Sequence, residues 1–260
     1  LLQMGRSRIE VRDTVVRLLY RQPPAEYGKT AQKGKHLHGR DDAAVRGMQK
    51  SDGDIIKEKM KNAIVTGGTS GIGLGVAKML LNKGYRVFAT YIGPDYMEQM
   101  ENFTAIKIDQ TQREDVYRFI EQMKSQTDHV DCIVCNAGMS IRKSFTETTD
   151  ADWDRQMEVA VNSHYIIIRE LFPLIPHGSR ILFTGSQMAV HPHATVLSYG
   201  VTKSAVCALA KNLVKEFEGT DTTVNAIIPG FVETPWQKEK PEEIKQNIYK
   251  KTAIHRFASI

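Results

Sequence analysis

The stretch that most limits how this protein folds is Asn62-Ala-Ile-Val-Thr-Gly-Gly-Thr-Ser-Gly-Ile-Gly73. A short apolar run, Ala63 to Val65, ends in a glycine cluster, and Ile72, Val76, Met79 and Leu80 follow at helical spacing. Strand, glycine-rich turn and helix in that order predict a β–α unit whose helix starts at the turn. Gly67 suits a tight turn, Gly71 lets backbone approach a phosphate, and Gly73 lets the helix pack closely on the strand. Free N–H groups at the helix start, aided by its dipole, then favour a pyrophosphate. Taken alone, the glycine pattern leaves a second reading open, a β–α turn with no ligand.

From Met60 onward strand and helix patterns alternate. Strands are predicted near 62–66, 85–90, 104–108, 130–135, 179–184 and 222–228, with helices about 72–83, 112–126, 152–172 and 198–217 between them. Residues 241–257 read as one or two short helices. This alternation predicts an α/β fold, a doubly wound parallel sheet with helices on both faces. Near-continuous apolar strands such as Arg180-Ile-Leu-Phe-Thr184 suit a sheet buried on both sides.

Residues 1–59 form a different region. The net charge of +5 lies entirely there, because this segment has 13 Lys/Arg against 8 Asp/Glu and the remainder is balanced. Ile9 to Tyr20 can form a short amphipathic helix, but Gly28 to Gly53 has few large apolar residues and its composition predicts disorder. Glu10, Asp13 and the lack of an apolar core segment argue against a targeting peptide. Nucleic-acid binding is not expected, since the basic excess lacks aromatic interleaving, and His36 and His38 are read as solvated. The segment is read as an extension, with Met60 as the natural start of the domain at 60–260.

No apolar run approaches the roughly eighteen residues of a membrane span, so no membrane partner is expected. Cys132, Cys135 and Cys207 supply no disulfide framework. Cys132-Ile-Val-Cys135 matches a redox or metal spacing, but it lies in a strand, where residues three apart face opposite ways. Buried thiols, no metal, and a reducing, cytoplasmic compartment are the expectation.

Ligands of such sheets bind beyond the carboxyl ends of the strands. After the third strand comes Ile108-Asp109-Gln110, a carboxylate able to accept from an adenine amino group. After the fourth comes Asn136-Ala137-Gly138, whose small residues let backbone approach a nucleoside. After the fifth and sixth come Thr184-Gly185-Ser186 and Pro229-Gly230-Phe231-Val232-Glu233-Thr234. Tyr199-Gly-Val-Thr-Lys203 places a phenol and an ammonium one helical turn apart. A cation beside a phenol stabilises the phenolate and lowers a pKa of about 10, which makes Tyr199 a candidate general acid/base.

Thr66-Gly67-Gly68-Thr69-Ser70-Gly71-Ile72-Gly73, Asn136-Ala137-Gly138, Asn162, Ser186, Tyr199-x-x-x-Lys203 and Pro229-Gly230 together resemble the short-chain dehydrogenase/reductase family over about residues 60–257. The resemblance is strongest to its 3-oxoacyl-acyl-carrier-protein reductase-like members. It implies an oxidoreductase that moves hydride between NAD(P)(H) and a carbonyl or alcohol substrate, free or carried on an acyl carrier. It also implies that Tyr199 gives a proton to the carbonyl oxygen and that Ser186 polarises that carbonyl. Lys203 would hold the nicotinamide ribose and depress the pKa of Tyr199, while Asn162 would hold a water of the proton relay. Thr234 would lie near the cofactor phosphates and Val232 near the carboxamide. The glycine turn with Thr69, Ser70 and Ile72, the Asp109-Gln110 pair, and Pro229-Gly230 would complete the dinucleotide site.

The sequence departs from the family pattern at several positions. Cys135 replaces an Asn on the fourth strand. Ser70 stands where NADP-preferring members often carry Arg or Lys, and Tyr91 where NAD-preferring members often carry Asp. Without a carboxylate to repel a 2′-phosphate, NADP(H) is slightly favoured. Members usually continue past Arg256-Phe257 with a further helix and a final strand, so the sixth strand is expected to be an unpaired edge. That reading makes the protein truncated at its carboxyl end, and unstable or unable to form a homodimer or homotetramer. A cofactor-binding but inactive product or sensor is therefore the alternative function. His191 and His193 line the substrate pocket or sit in a solvated loop, and Trp236 to Lys251 resembles a substrate lid bearing Lys238, Lys240, Lys245, Lys250 and Lys251.

Overall fold

A computed structural model of the protein describes residues 59–94, 96 and 98–260. The expectations for residues 1–58 lie outside the described residues.

Six parallel strands form one sheet: β1 (Asn62–Val65), β2 (Arg86–Tyr91), β3 (Phe103–Lys107), β4 (Cys132–Cys135), β5 (Arg180–Thr184) and β6 (Thr223–Ile227). Their order is β3-β2-β1-β4-β5-β6. The order reverses between β1 and β4, where Ala63 pairs with Val87 on one side and Cys132 on the other. Successive strand residues feed opposite layers, as extended backbone requires. Ala63, Val65, Cys132 and Val134 join the core under one face, while Ile64, Ile133 and Cys135 join the core under the other. The two thiols of the Cys-x-x-Cys spacing therefore never meet. Burial pushes the Cys132 thiol up to about 11 and raises Cys135 further. No cluster of metal-ligating side chains occurs among the described residues.

Helix α1 (Gly71–Asn82) follows the glycine turn, and α2 (Arg113–Gln126) buries Val116, Phe119, Ile120 and Met123 at the spacing of one helical face. The single helix expected over 152–172 is three pieces: α3 (Asp150–Met157), a π-helical turn (Glu158–Asn162) and α4 (Ser163–Leu171). Thr149 and Asp152 form a reciprocal capping box that starts α3. At the π turn the Ser163 N–H bonds Glu158 O, one residue further back than in an α-helix. The side chains of Ser163 and His164 reach the carbonyls of Val159 and Ala160, at 2.8 and 2.9 Å. Periodicity alone does not show this interruption, because it leaves the apolar spacing nearly intact.

Helix α5 (Leu197–Leu213) carries Tyr199 and Lys203, and α6 (Pro235–Lys238) and α7 (Glu242–Lys251) follow β6. Among the described residues β6 pairs only with β5, so it is an edge strand, and Ile227 on it is 39% exposed. The last residues return beside the segment after β6: Ala258 N donates to Phe231 O at 2.9 Å and accepts at its carbonyl from Glu233 N at 2.8 Å. Phe257 sits between Phe231 and Tyr249, with ring centroids 5.9 and 5.0 Å away. No helix of the described residues is long and apolar enough to cross a membrane.

Candidate active site

A cleft of about 640 Å³ opens at the carboxyl ends of the strands. Its first wall is the glycine turn. Gly67 has φ +61°, a conformation that costs other residues free energy. A Cβ on Gly73 would lie 2.1 Å from Gly67 O and 2.7 Å from Asn136 Nδ2. Gly73 therefore brings the helix start against the turn and the β4 loop, rather than only against the strand. Ser70, at the N-cap of α1, makes no side-chain cap, and Ser70, Gly71 and Ile72 line the cleft with Thr69. Unfilled donors at a helix start are an anion site. Thr234 closes over the turn, 3.4 Å from where a Gly71 Cβ would be.

The adenosine side as read from sequence is built differently in detail. Asp109 and Gln110 line the cleft, but Asp109 Oδ1 already accepts from the N–H and hydroxyl of Thr111 at 2.9 and 2.8 Å. Gln110 is buried and its amide is used internally, accepting from Thr90 Oγ1 at 3.1 Å and donating to Ser163 Oγ at 2.9 Å. Tyr91 lines the cleft and leans on Tyr96, ring centroids 6.3 Å apart. Asn136 donates to Thr66 O and Gly67 O at 3.1 and 3.3 Å and accepts from Thr184 Oγ1 at 3.2 Å. It ties β1, β4 and β5 together at the cleft floor. A Cβ on Gly138 would stand 3.2 Å from Lys203 Nζ, so this glycine and Ala137 leave room for the ammonium.

Ser186, Tyr199 and Lys203 line the same cleft with Pro229, Gly230 and Val232. Val232 is held from behind by its bridge to Ala258. Lys203 is 4% exposed and donates to Thr184 O at 2.7 Å, with its Nζ 5.7 Å from the Tyr199 ring centroid. Burial lowers its pKa to about 8, opposed by the nearby Cys207. Burial raises the Tyr199 phenol above its ordinary value, and the group pulling it down is the Ser186 hydroxyl, through a hydrogen bond.

Two expected site residues stand apart from the cleft wall. Gly73 lies behind it, for the packing reason above. Asn162 donates through Nδ2 to Glu158 Oε2 at 2.6 Å, and Glu158 is ion-paired to Arg113 at 2.6 Å. Its side-chain N–H is thus used on the π turn. His191 and His193 are exposed and line no part of this cleft. The lysines of the 236–251 segment also lie outside it, and Lys245 faces Glu242 at 3.8 Å.

Sequence reasoning placed Trp236 and Gln237 only within a lid segment, and gave Thr66 and His164 no individual role. Trp236 lines the cleft with its indole edge-on to Tyr199, centroids 6.4 Å apart. Gln237 also lines it, and its Oε1 is buried with no partner. Thr66 and His164 form a buried pair under the glycine turn, Thr66 Oγ1 to His164 Nε2 at 2.8 Å. A histidine followed by Tyr165-Ile166-Ile167-Ile168 was the one available signal for that pair.

A family model described as short chain dehydrogenase matches residues 61–245. The protein is 31% identical over 185 residues to 2-dehydro-3-deoxy-D-gluconate 5-dehydrogenase of Pseudoalteromonas atlantica, covering 67% of this chain and 73% of that protein. It is 27% identical over 215 residues to the 3-oxoacyl-[acyl-carrier-protein] reductase FabG of Aquifex aeolicus, covering 78% and 87%. Among solved structures, a short chain dehydrogenase family protein from Francisella tularensis superposes with a TM-score of 0.71 at 27% identity, over 77% of this chain and 86% of that one. With its parallel sheet wound about a β1/β4 switch, the glycine turn and this degree of likeness, the protein belongs to the short-chain dehydrogenase family.

Proposed function

We propose that this protein is an NAD(P)(H)-dependent carbonyl reductase or alcohol dehydrogenase, with Tyr199 as the general acid/base. The observation that carries the reading is one continuous cleft with the glycine turn and helix start at one end and Ser186, Tyr199 and Lys203 at the other. An anion site and a proton donor on one cleft suit a dinucleotide whose pyrophosphate and reactive ring are far apart.

Two features fit such a cofactor. The approach of Gly73 to Gly67 leaves backbone where a side chain would fill the cradle. The orphaned Gln237 Oε1 is an acceptor that needs a donor, which a carboxamide supplies. When bound, the dinucleotide supplies or accepts the hydride.

In the reductive direction, the Tyr199 hydroxyl donates its proton to the carbonyl oxygen of the substrate. Ser186 hydrogen-bonds the same oxygen and stabilises the negative charge it develops. Its Oγ also accepts from Met188 N at 3.2 Å, which fixes the direction of the hydroxyl. Lys203, anchored on Thr184 O, presents positive charge at the cleft floor, where a ribose hydroxyl is its natural acceptor.

The substrate is a carbonyl or secondary alcohol small enough to pass Trp236, and a 3-oxoacyl thioester on a carrier is one such class. Absence of an acidic side chain at Ser70 and Tyr91 supports a lean to NADP(H), since nothing there repels a 2′-phosphate. A binding protein without turnover is the second reading.

NADPH and NADH oxidation against ketones, 3-oxoacyl thioesters and sugar-acid ketones, with Tyr199→Phe alongside, separates the two. Turnover lost in Tyr199→Phe with dinucleotide affinity retained supports the enzyme. Dinucleotide binding with no turnover in the unaltered protein supports the second reading.

A further inference from the structure

Two hydrogen-bond relays leave consecutive residues of one helix and end on the two loops that frame the cleft. The first starts at Ser163. Its hydroxyl donates to Val159 O at 2.8 Å and accepts from Gln110 Nε2 at 2.9 Å. Gln110 Oε1 accepts from Thr90 Oγ1 at 3.1 Å, and Thr90 Oγ1 accepts the N–H of Gly67 at 3.1 Å. The second starts at His164. Its Nδ1 lies 2.9 Å from Ala160 O, and a carbonyl can only accept, so Nδ1 carries the proton. Nε2 is then an acceptor, and the Thr66 hydroxyl, 2.8 Å away, donates to it. The lone pairs of Thr66 Oγ1 accept the N–H groups of Asn136 and Ala137 at 2.8 and 2.9 Å.

Every proton in both relays has one consistent direction, and Thr66, Thr90, Gln110, Ser163 and His164 are all buried. Their common origin is the π turn. In a continuous α-helix, Val159 O and Ala160 O would receive the N–H groups of Ser163 and His164. Here the Ser163 N–H goes back to Glu158 O, and the two side chains reach those carbonyls instead. Val159 itself lines the cleft. His164 is further fixed edge-on to Phe183 of β5, centroids 6.5 Å apart. Helix α4 thus fixes the turn after β1 and the loop after β4, the two segments that flank the topological switch.

We propose that Ser163 and His164 are the positioning residues of the dinucleotide site, the first holding the Gly67 turn through Gln110 and Thr90, the second holding the Asn136–Ala137 loop through Thr66. The proposal rests on the cofactor reading above. It assigns a function to two side chains that touch neither the cofactor nor the substrate.

The test uses the protein of residues 1–260 and the variants His164→Leu, His164→Gln and Ser163→Ala. Two readouts are taken: dinucleotide Kd from NADPH and NADH fluorescence, and residue-resolved amide hydrogen exchange without added ligand. His164→Leu is expected to raise Kd about tenfold and to speed exchange at Asn136 and Ala137 about tenfold with Gly67 little changed. Ser163→Ala is expected to do the reverse, speeding exchange at Gly67 alone. His164→Gln, whose side-chain oxygen can accept from Thr66, should recover most of the lost affinity. Uniform loss of protection across the sheet in both variants, or a Kd within twofold of the unaltered protein in His164→Leu, overturns the proposal. If the unaltered protein binds neither dinucleotide, the cofactor reading falls. The segregated exchange pattern then still stands or falls by itself as the test of the two relays.

Discussion

Lys203 Nζ donates to the carbonyl oxygen of Thr184 at 2.7 Å, which fixes the ammonium at the mouth of β5 beside Gly138. Lys203→Met keeps the length of the stem but removes the charge and leaves Thr184 O without this donor. Turnover should fall by about 100-fold or more. Steady-state kcat with NADPH and a reducible ketone measures this, and thermal melting shows whether the fold persists. Retention of more than about a tenth of the rate would mean that Lys203 is only a strut.

The shifts at Tyr199 work in opposite senses for the two directions of reaction. Burial raises the phenol above its usual value, so at neutral pH it is protonated and ready to donate. Reduction is therefore expected to be flat in kcat/KM between about pH 6 and 7, below the Lys203 pKa of about 8. Oxidation needs the phenolate, whose population rises about tenfold per pH unit below the pKa, so its kcat/KM should climb with that slope over the same range. Matched pH profiles in both directions check this, and a flat oxidative profile would remove Tyr199 as the base.

Gly73→Ala would place a Cβ 2.1 Å from Gly67 O, a backbone atom that cannot swing aside. The expected cost is about 1–3 kcal/mol of stability from overpacking, with a far larger loss of dinucleotide affinity because the turn itself must move. Urea unfolding and fluorescence titration on the same sample separate the two effects. Gly84→Ala is the control: at φ +80° it should also cost stability, but with nothing near its Cβ and no part in the cleft it should leave affinity unchanged.

Acid stability is tied to His164. Burial, with a smaller push from Lys203 and against the Ala160 carbonyl, lowers its pKa to about 4 from the ordinary 6.5. Between those values the unfolded protein binds the proton and the native protein does not. Stability is therefore fully present above about pH 6.5 and lost as pH falls toward 4, by on the order of 3 kcal/mol. Urea midpoints from pH 7.5 to 4.5 should fall more steeply for the unaltered protein than for His164→Gln. Equal slopes would show that other groups govern this limb.

The strands were legible because each is a short apolar run bounded by polar or glycine residues, and a buried parallel sheet requires just that. The cleft was legible because its glycines and small strand-end residues stand where backbone must approach a ligand. The π turn was not, since inserting one residue per turn at Glu158–Asn162 barely disturbs the apolar spacing of α3 and α4. Gln110 and Asn136 were read as ligand contacts, but their amides are largely used on neighbouring loops, because a polar residue at a strand end serves either purpose. Only the folded structure shows which carbonyls lie within reach. Trp236 was legible only as the start of a lid, for a related reason: its contact with Tyr199, some forty positions away, forms only once α6 folds over α5.

Trp236 covers Tyr199 edge-on while 58% of its surface faces solvent, so its position depends on α6 more than on the core. Aromatic pairs of this geometry contribute about 0.5–1.5 kcal/mol beyond burial, enough to hold a lid without locking it. Its counterpart Trp153 is on α3 and outside the cleft. A Trp153→Phe background therefore makes Trp236 the sole fluorophore of its kind, given two tryptophans in the sequence. Substrate entering beside Tyr199 should shift its emission, and Trp236→Ala should raise KM for the carbonyl substrate about tenfold with dinucleotide Kd within twofold. An unchanged KM would remove Trp236 and α6 from substrate recognition and leave the task to other residues of the cleft, such as Met139 and Val159.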